Sequence, residues 1–232
     1  MRRGPRLFFS FRSPFSWMAI TKLERSVPDL HSRVEFIPYW EPDERTRAEL
    51  AERGADLHYA QMSKAKHLYV LYDTRREAAR LGLRIVWPVD IDPWWELPHL
   101  AWLAARRMGR AAEFYTAVMA ARWEHGEDVC EAAVVRELAR QVGLDPDRLV
   151  GATEVEDIRA EGVDCLYAAY DDDIFGVPYF RIRRERYWGL DRVDDFIAEL
   201  GSDEPRSRRP ATAARGERVR AAVDNDSAGG CG

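Results

Sequence analysis

Phe8-Phe9-Ser10-Phe11-Arg12-Ser13-Pro14-Phe15-Ser16-Trp17 is an apolar, aromatic run broken by a Ser-Pro pair. Proline suits the first position of a helix, where its missing N–H has no partner to lose. Ser13 then falls at the N-cap, at the positive end of the helix dipole. The stretch predicts a buried strand over 6–11, a sharp exit, and a helix from Pro14 to about Ser26 ended by Pro28.

A second segment, Phe175-Gly176-Val177-Pro178-Tyr179-Phe180, sets a proline between a helix-like stretch and a strand-like one. Between the two segments, residues 33–38 alternate as a strand, and 43–161 carry mostly helical periodicity. Leu68, Tyr72, Ala79 and Leu83 share one helical face, as do Leu97, Leu100, Ala101, Ala104 and Met108. A helix over 131–142 stops at Gly143, and Asp145-Pro146 opens another. Residues 179–182 and 186–188 read as a hairpin, and 191–200 as an amphipathic helix. The order β-α-β, helical block, α-β-β-α predicts an α/β protein: residues 1–42 and 162–200 form one domain, and 43–161 an inserted helical domain. Residues 201–232 are almost devoid of large apolar side chains and read as a disordered tail.

Composition narrows the function classes. The chain has 232 residues, 46% of them hydrophobic, and a net charge of −5, which gives no bulk electrostatic case for nucleic acid or membrane. Cys130, Cys165 and Cys231 are widely spaced and odd in number, so neither a disulfide framework nor a metal site is indicated. With no secretory leader pattern and no spanning apolar run, a soluble cytoplasmic protein acting on a small molecule is expected.

Ser13-Pro14-Phe15-Ser16-Trp17, Lys66-His67-Leu68-Tyr69, Gly176-Val177-Pro178 and Trp188-Gly189-Leu190-Asp191-Arg192 resemble motifs of the 2-hydroxychromene-2-carboxylate isomerases and kappa-class glutathione transferases. Both families belong to the DsbA-like branch of the thioredoxin superfamily. The resemblance runs in order and spacing over about residues 6–200. It implies a thioredoxin-like fold with a large all-helical insertion and a cis Pro178 facing the first helix. Redox members open that helix with Cys-x-x-Cys; here the slot reads Ser13-Pro14-Phe15-Ser16, so thiol binding without disulfide cycling is expected.

The resemblance also implies roles. Ser13 would lie beside the thiol sulfur as the catalytic residue, and Lys66 near the glycyl end of glutathione. Val177 would pair its backbone with the cysteinyl unit beside Pro178, and Asp191 and Arg192 would hold the γ-glutamyl end. A helix N-terminus with a hydroxyl donor favours the nucleophilic thiolate over the thiol. Ser10, Arg12 and Leu190 depart from the family pattern, and no Asn stands at Leu57-His58. These departures leave open glutathione or another low-molecular-weight thiol such as mycothiol. Arg12 could face the site or solvent; His58 and His67 have no evident partner.

Six tryptophans between Trp40 and Trp123 suit a helical core, but Trp94 and Trp95 are adjacent and cannot both face it. One of them, with Arg12, is expected to line a pocket for a planar aromatic or polyketide-like carbonyl or carboxylate substrate. The expected function is a thiol-dependent cis-trans isomerase. The alternatives are a kappa-type transferase on the same residues, or a repurposed binding protein without redox activity. A homodimer is compatible with the resemblance.

Overall fold

A computed structural model describes residues 4–57 and 63–202. His58, Cys231 and all of the expected tail from 203 onward lie outside them.

Strand β1 (Arg6–Phe9) pairs in parallel with β2 (Glu35–Pro38) and antiparallel with β3 (Tyr179–Ile182). Strand β4 (Glu185–Trp188) closes the hairpin on β3, giving the order β2-β1-β3-β4. Leu7, Phe8 and Phe9 are all fully buried, so both faces of the central strand are covered. This explains why its sequence is continuously apolar and does not alternate.

Helix α1 (Pro14–Ser26) has Ser13 as its N-cap and Pro14 in its first turn. The short helix α2 (Leu30–Arg33) takes up the start of what the sequence suggests as strand, so β2 begins only at Glu35. The helical block comprises α3 (Glu44–Glu52), α4 (Lys64–Arg80), α5 (Glu96–Arg107), α6 (Ala111–Trp123), α7 (Ala132–Gln141) and α8 (Pro146–Val150). Helix α9 (Glu156–Asp171) leads back to the sheet, and α10 (Val193–Leu200) ends the described chain.

Phe9 is the point where sheet and insertion meet. Its ring packs edge-on against Phe11, Phe36, Trp102 and Tyr115, with centroids 5.1–6.2 Å apart. The other side of the frame closes where Phe180 stacks on Phe196 of α10 at 4.9 Å. Edge-on aromatic contacts add to the area they bury because ring edges and faces carry opposite partial charge.

Two expectations need correction. The boundary drawn between 161 and 162 falls inside α9, a single helix that packs on α3 and α5 and also on β2. The insertion therefore shares a helix with the frame. Helix α4 buries Val70, Thr74 and Ala78, not the Leu68–Tyr72 face, which is exposed. Its period is legible, but its contact with α1 uses small side chains, and a narrow face suffices for close helix approach.

Buried charges fix the two ends of the insertion. Asp43 caps α3 by accepting from Thr46 N at 2.8 Å, and the buried Arg159 guanidinium donates to it at 2.9 Å. Glu96, itself buried, accepts from Asp43 N at 2.9 Å. Burial raises the Asp43 pKa, but the Thr46 hydrogen bond and Arg159 outweigh it and leave the carboxyl below its usual range. Glu96 is raised, chiefly by burial. At the return to the sheet, buried Asp172 bridges Arg6 and Arg181.

Candidate active site

Between β1 and α1 the chain turns in four residues, and every backbone N–H of the turn is bonded. Ser10 N donates to Ser16 Oγ at 3.3 Å, and Arg12 N to Ser10 Oγ at 3.2 Å. Ser13 N donates to Ser10 O at 3.1 Å. Phe11 N reaches across 88 positions to Nε2 of His99 at 3.2 Å. Serine hydroxyls bond their local backbone readily, which is how Ser10 and Ser16 end the strand where apolar periodicity would continue it. Ser16 is thus part of the turn's scaffold and is fully buried.

Ser13 Oγ accepts from Ser16 N at 3.1 Å, the ordinary N-cap bond. The same hydroxyl donates to the Val177 carbonyl at 3.4 Å. The Val177–Pro178 peptide is cis. Pro178 in turn accepts through its carbonyl from Gly189 N at 3.0 Å, drawing the β4–α10 connection to the same place. Gly189 has φ +93, and a Cβ there would stand 2.9 Å from Asp191 Oδ1. Only glycine takes that conformation without strain.

Asp191 and Arg192 lie in a 3-10 turn (Leu190–Arg192), exposed and paired with each other at 3.2 Å. The N-cap of α10 is Arg192. A cleft of about 590 Å³ opens between α1, the C-terminal half of α4 and this turn. Phe15, Leu81, Trp188 and Leu190 give it apolar walls, and Lys22 and Asp191 reach its rim.

The structure therefore brings Ser13, Val177 and Pro178 together, with Asp191 at the adjoining cleft. It places Lys66 apart, half-buried in the first turn of α4, where Ser63 caps the helix. Arg12 turns toward Glu41 (Nη1–Oε2 3.1 Å) and over Trp95 at 5.9 Å. The two tryptophans divide as adjacency requires. Trp95 is buried against Arg122 and His99; Trp94 is 41% exposed and donates to Asp43 at 3.3 Å.

Sequence reasoning missed His99 and Glu41. His99 carries no local signal, since it stands on an apolar helix face far from Phe11 in the chain. Its Nε2 accepts from Phe11 N–H, so Nδ1 holds the proton and donates to the Trp95 carbonyl at 2.7 Å. Burial pushes its pKa down to about 3, so the ring is neutral.

The turn contains no cysteine. Burial pushes the Cys130 and Cys165 thiols up to about 12, so neither supplies a thiolate at neutral pH. Among the described residues no group of His, Cys, Asp and Glu side chains could hold a metal ion, and no helix is long and apolar enough to cross a membrane. The arrangement is a helix N-terminus and a hydroxyl facing a backbone carbonyl, beside an open cleft. It can bind a polarisable anion, but has no sulfur of its own for disulfide exchange.

The chain is similar to known proteins in sequence and in fold. The family described as DSBA-like thioredoxin domain matches residues 6–201. A 2-hydroxychromene-2-carboxylate isomerase of Sphingobium xenophagum is 28% identical over 189 residues, covering 81% of this chain and 92% of that protein. A solved structure of 2-hydroxychromene-2-carboxylate isomerase superposes with a TM-score of 0.66 at 20% identity, over 85% of this chain and 94% of the other. A probable DsbA oxidoreductase from Streptomyces coelicolor gives 0.62 at 17% identity, over 90% and 94%. At those identities the two structures speak for the fold.

Proposed function

We propose, from the premise that this chain belongs to the DSBA-like thioredoxin domain family, that it is a thiol-dependent isomerase of the 2-hydroxychromene-2-carboxylate type. One observation carries the reading: the first helix opens on a buried Ser13 hydroxyl instead of a cysteine, facing the carbonyl before Pro178. The relative from Sphingobium xenophagum, which this chain covers nearly end to end, supports the same reaction class.

The site fits a small thiol. The Ser13–Val177 contact, at 3.4 Å, is long for an O–H···O bond and is readily exchanged for a stronger acceptor. The cleft beside it is large enough for the rest of a tripeptide-sized molecule. When bound, the thiol supplies a thiolate that adds reversibly to a conjugated double bond and leaves after rotation about it. Glutathione and mycothiol are the candidates.

The chain's own residues do four things. Ser13 donates its hydroxyl proton in a hydrogen bond to the sulfur, and the α1 dipole adds positive potential there, which together favour the ionised form. The Val177 backbone, held at its angle by Pro178, positions the cysteinyl unit. Asp191 holds an amino group at the cleft, and Arg192 attracts a carboxylate. Phe15 and Trp188 give the cleft apolar walls against which the thiol's methylene groups pack.

Thermal unfolding of the wild type and of Ser13→Ala, each with glutathione, with mycothiol and without thiol, tests the reading. A thiol at a hundred times its dissociation constant adds about 2.7 kcal/mol and raises the midpoint. The rise is expected with one of the two thiols and should be largely lost in Ser13→Ala. No rise with either thiol overturns the reading.

A further inference from the structure

We infer that the thiol is borne on an uncharged, polyhydroxylated carrier, a sugar or cyclitol, and that Asp73 and Glu77 of α4 select it over a peptide carrier with carboxylates. The inference rests on the reading of the cleft beside Ser13 as the seat of the thiol, and names the class of thiol that seat accepts.

Among the described residues, the charged side chains lining the cleft are four acids, Asp73, Glu77, Asp191 and Asp194, and two bases, Lys22 and Arg80. Each acid already has a cation beside it. Arg76 holds Asp73 at 2.7 Å, Lys22 holds Asp194 at 2.8 Å, Arg192 holds Asp191 at 3.2 Å, and Arg80 pairs with Glu77. Both bases of the lining are therefore engaged, and Arg76 and Arg192 are not part of it. Asp73, Glu77 and Arg80 follow one another at spacings of four and three along α4, which sets them on one helix face. The side chains of Asp73 and Glu77 are 23% and 25% exposed, so water and salt screen their charge only in part.

Such a lining gives a carboxylate no unengaged cation and gives an amine no bare acid. What it gives is acceptors. A carboxylate has about four lone-pair sites, so one that binds a single guanidinium N–H still accepts from hydroxyl groups. Between the acids, Phe15, Leu81, Trp188 and Leu190 present apolar surface. Apolar walls with a few fixed acceptors suit a saturated ring, whose faces carry C–H and whose edges carry O–H.

Glutathione suits the same walls less well. Asp191 can take its amino group and Arg192 one carboxylate, but the second carboxylate then lies among Asp73, Glu77 and Asp194. Lys66, which the resemblance places at the glycyl end, does not line the cleft. Repulsion of the wrong carrier adds to attraction of the right one, and selectivity depends on the difference.

Isothermal titration calorimetry with three reduced thiols tests the inference: mycothiol, a sugar-cyclitol thiol without carboxylate or amine; glutathione; and glutathione diethyl ester, which keeps only the ammonium. Wild type is expected to bind mycothiol about tenfold or more tighter than glutathione. Asp73→Asn with Glu77→Gln removes the charge and keeps the shape. It should weaken mycothiol about tenfold, as charge-assisted hydrogen bonds become neutral ones, and tighten glutathione severalfold. Surface pairs within one helix contribute little to stability, so the double variant should fold, and its thermal midpoint without thiol checks this. Glutathione bound as tightly as mycothiol, the ester bound tightest, or a double variant that shifts both thiols the same way or neither, each overturns the inference and leaves the isomerase reading standing. Binding of none of the three overturns both.

Discussion

The Ser13 hydroxyl and the Val177 carbonyl oxygen stand 3.4 Å apart although 164 positions separate them in the chain. Ser13 belongs to the turn between β1 and α1, and Val177 to the entry of β3, the antiparallel neighbour of β1. Sheet pairing therefore brings them together, and the helical block can be large without disturbing the meeting. The same hydroxyl oxygen also caps α1, so one side chain serves folding and faces the candidate site.

The His99 ring ties the Ser13 turn to α5, and its loss should be felt on both sides. His99→Leu strands the buried Phe11 N–H and the Trp95 carbonyl, at a cost of about 2 kcal/mol in urea unfolding. His99→Gln, which restores an acceptor toward Phe11, should recover part of the loss and of the thiol affinity; equal effects in the two variants would contradict the hydrogen-bond account.

A pH dependence follows from the same residue. The unfolded chain protonates His99 near its usual 6.5, while the folded chain resists until about 3. The unfolded state therefore binds more protons in that window, and stability falls as pH drops through it, by up to about 1.4 kcal/mol per pH unit. The advantage of wild type over His99→Gln should be full above 6.5 and shrink steadily below. Parallel stability curves for the two proteins from pH 7 to 4 would contradict this.

Gly189→Ala forces a side chain onto a backbone at φ +93 and toward Asp191 Oδ1. A left-handed non-glycine residue costs about 1–2 kcal/mol. Because Gly189 N bonds Pro178 O, thiol affinity should fall along with the denaturation midpoint. A variant with wild-type stability and affinity would show that the turn relaxes freely.

Asp43→Ala leaves Arg159, 4% exposed, without its carboxylate and uncaps α3. Removing one partner of a buried pair costs about 3 kcal/mol, while replacing both is nearly neutral. Asp43→Ala with Arg159→Met should therefore be more stable than Asp43→Ala alone, as read from urea midpoints. If it is less stable, packing around Arg159 outweighs the unpaired charge.

Cys130 and Cys165, with thiols pushed up to about 12 by burial, should resist iodoacetamide at pH 8 in the folded protein and react on unfolding. Peptide mapping by mass spectrometry distinguishes these sites from Cys231. Rapid native labelling at either position would overturn the burial argument.

By itself the sequence determined what is local or periodic. The Ser-Pro step placed the start of α1, Gly143 and Asp145-Pro146 placed the break between α7 and α8, and the apolar run marked β1 as buried on both faces. These signals depend on backbone sterics and capping, which act within a few residues. The family motifs likewise placed Ser13 and Val177-Pro178 at one site, because that meeting is written into strand order. Only the tertiary structure decided which face of α4 is buried, which of Trp94 and Trp95 turns inward, and where Arg12 points. It alone brought His99 to Phe11 and Glu41 to Arg12. Each of those outcomes depends on a partner far away in the chain, and side-chain packing against such a partner leaves no pattern in the residues around it.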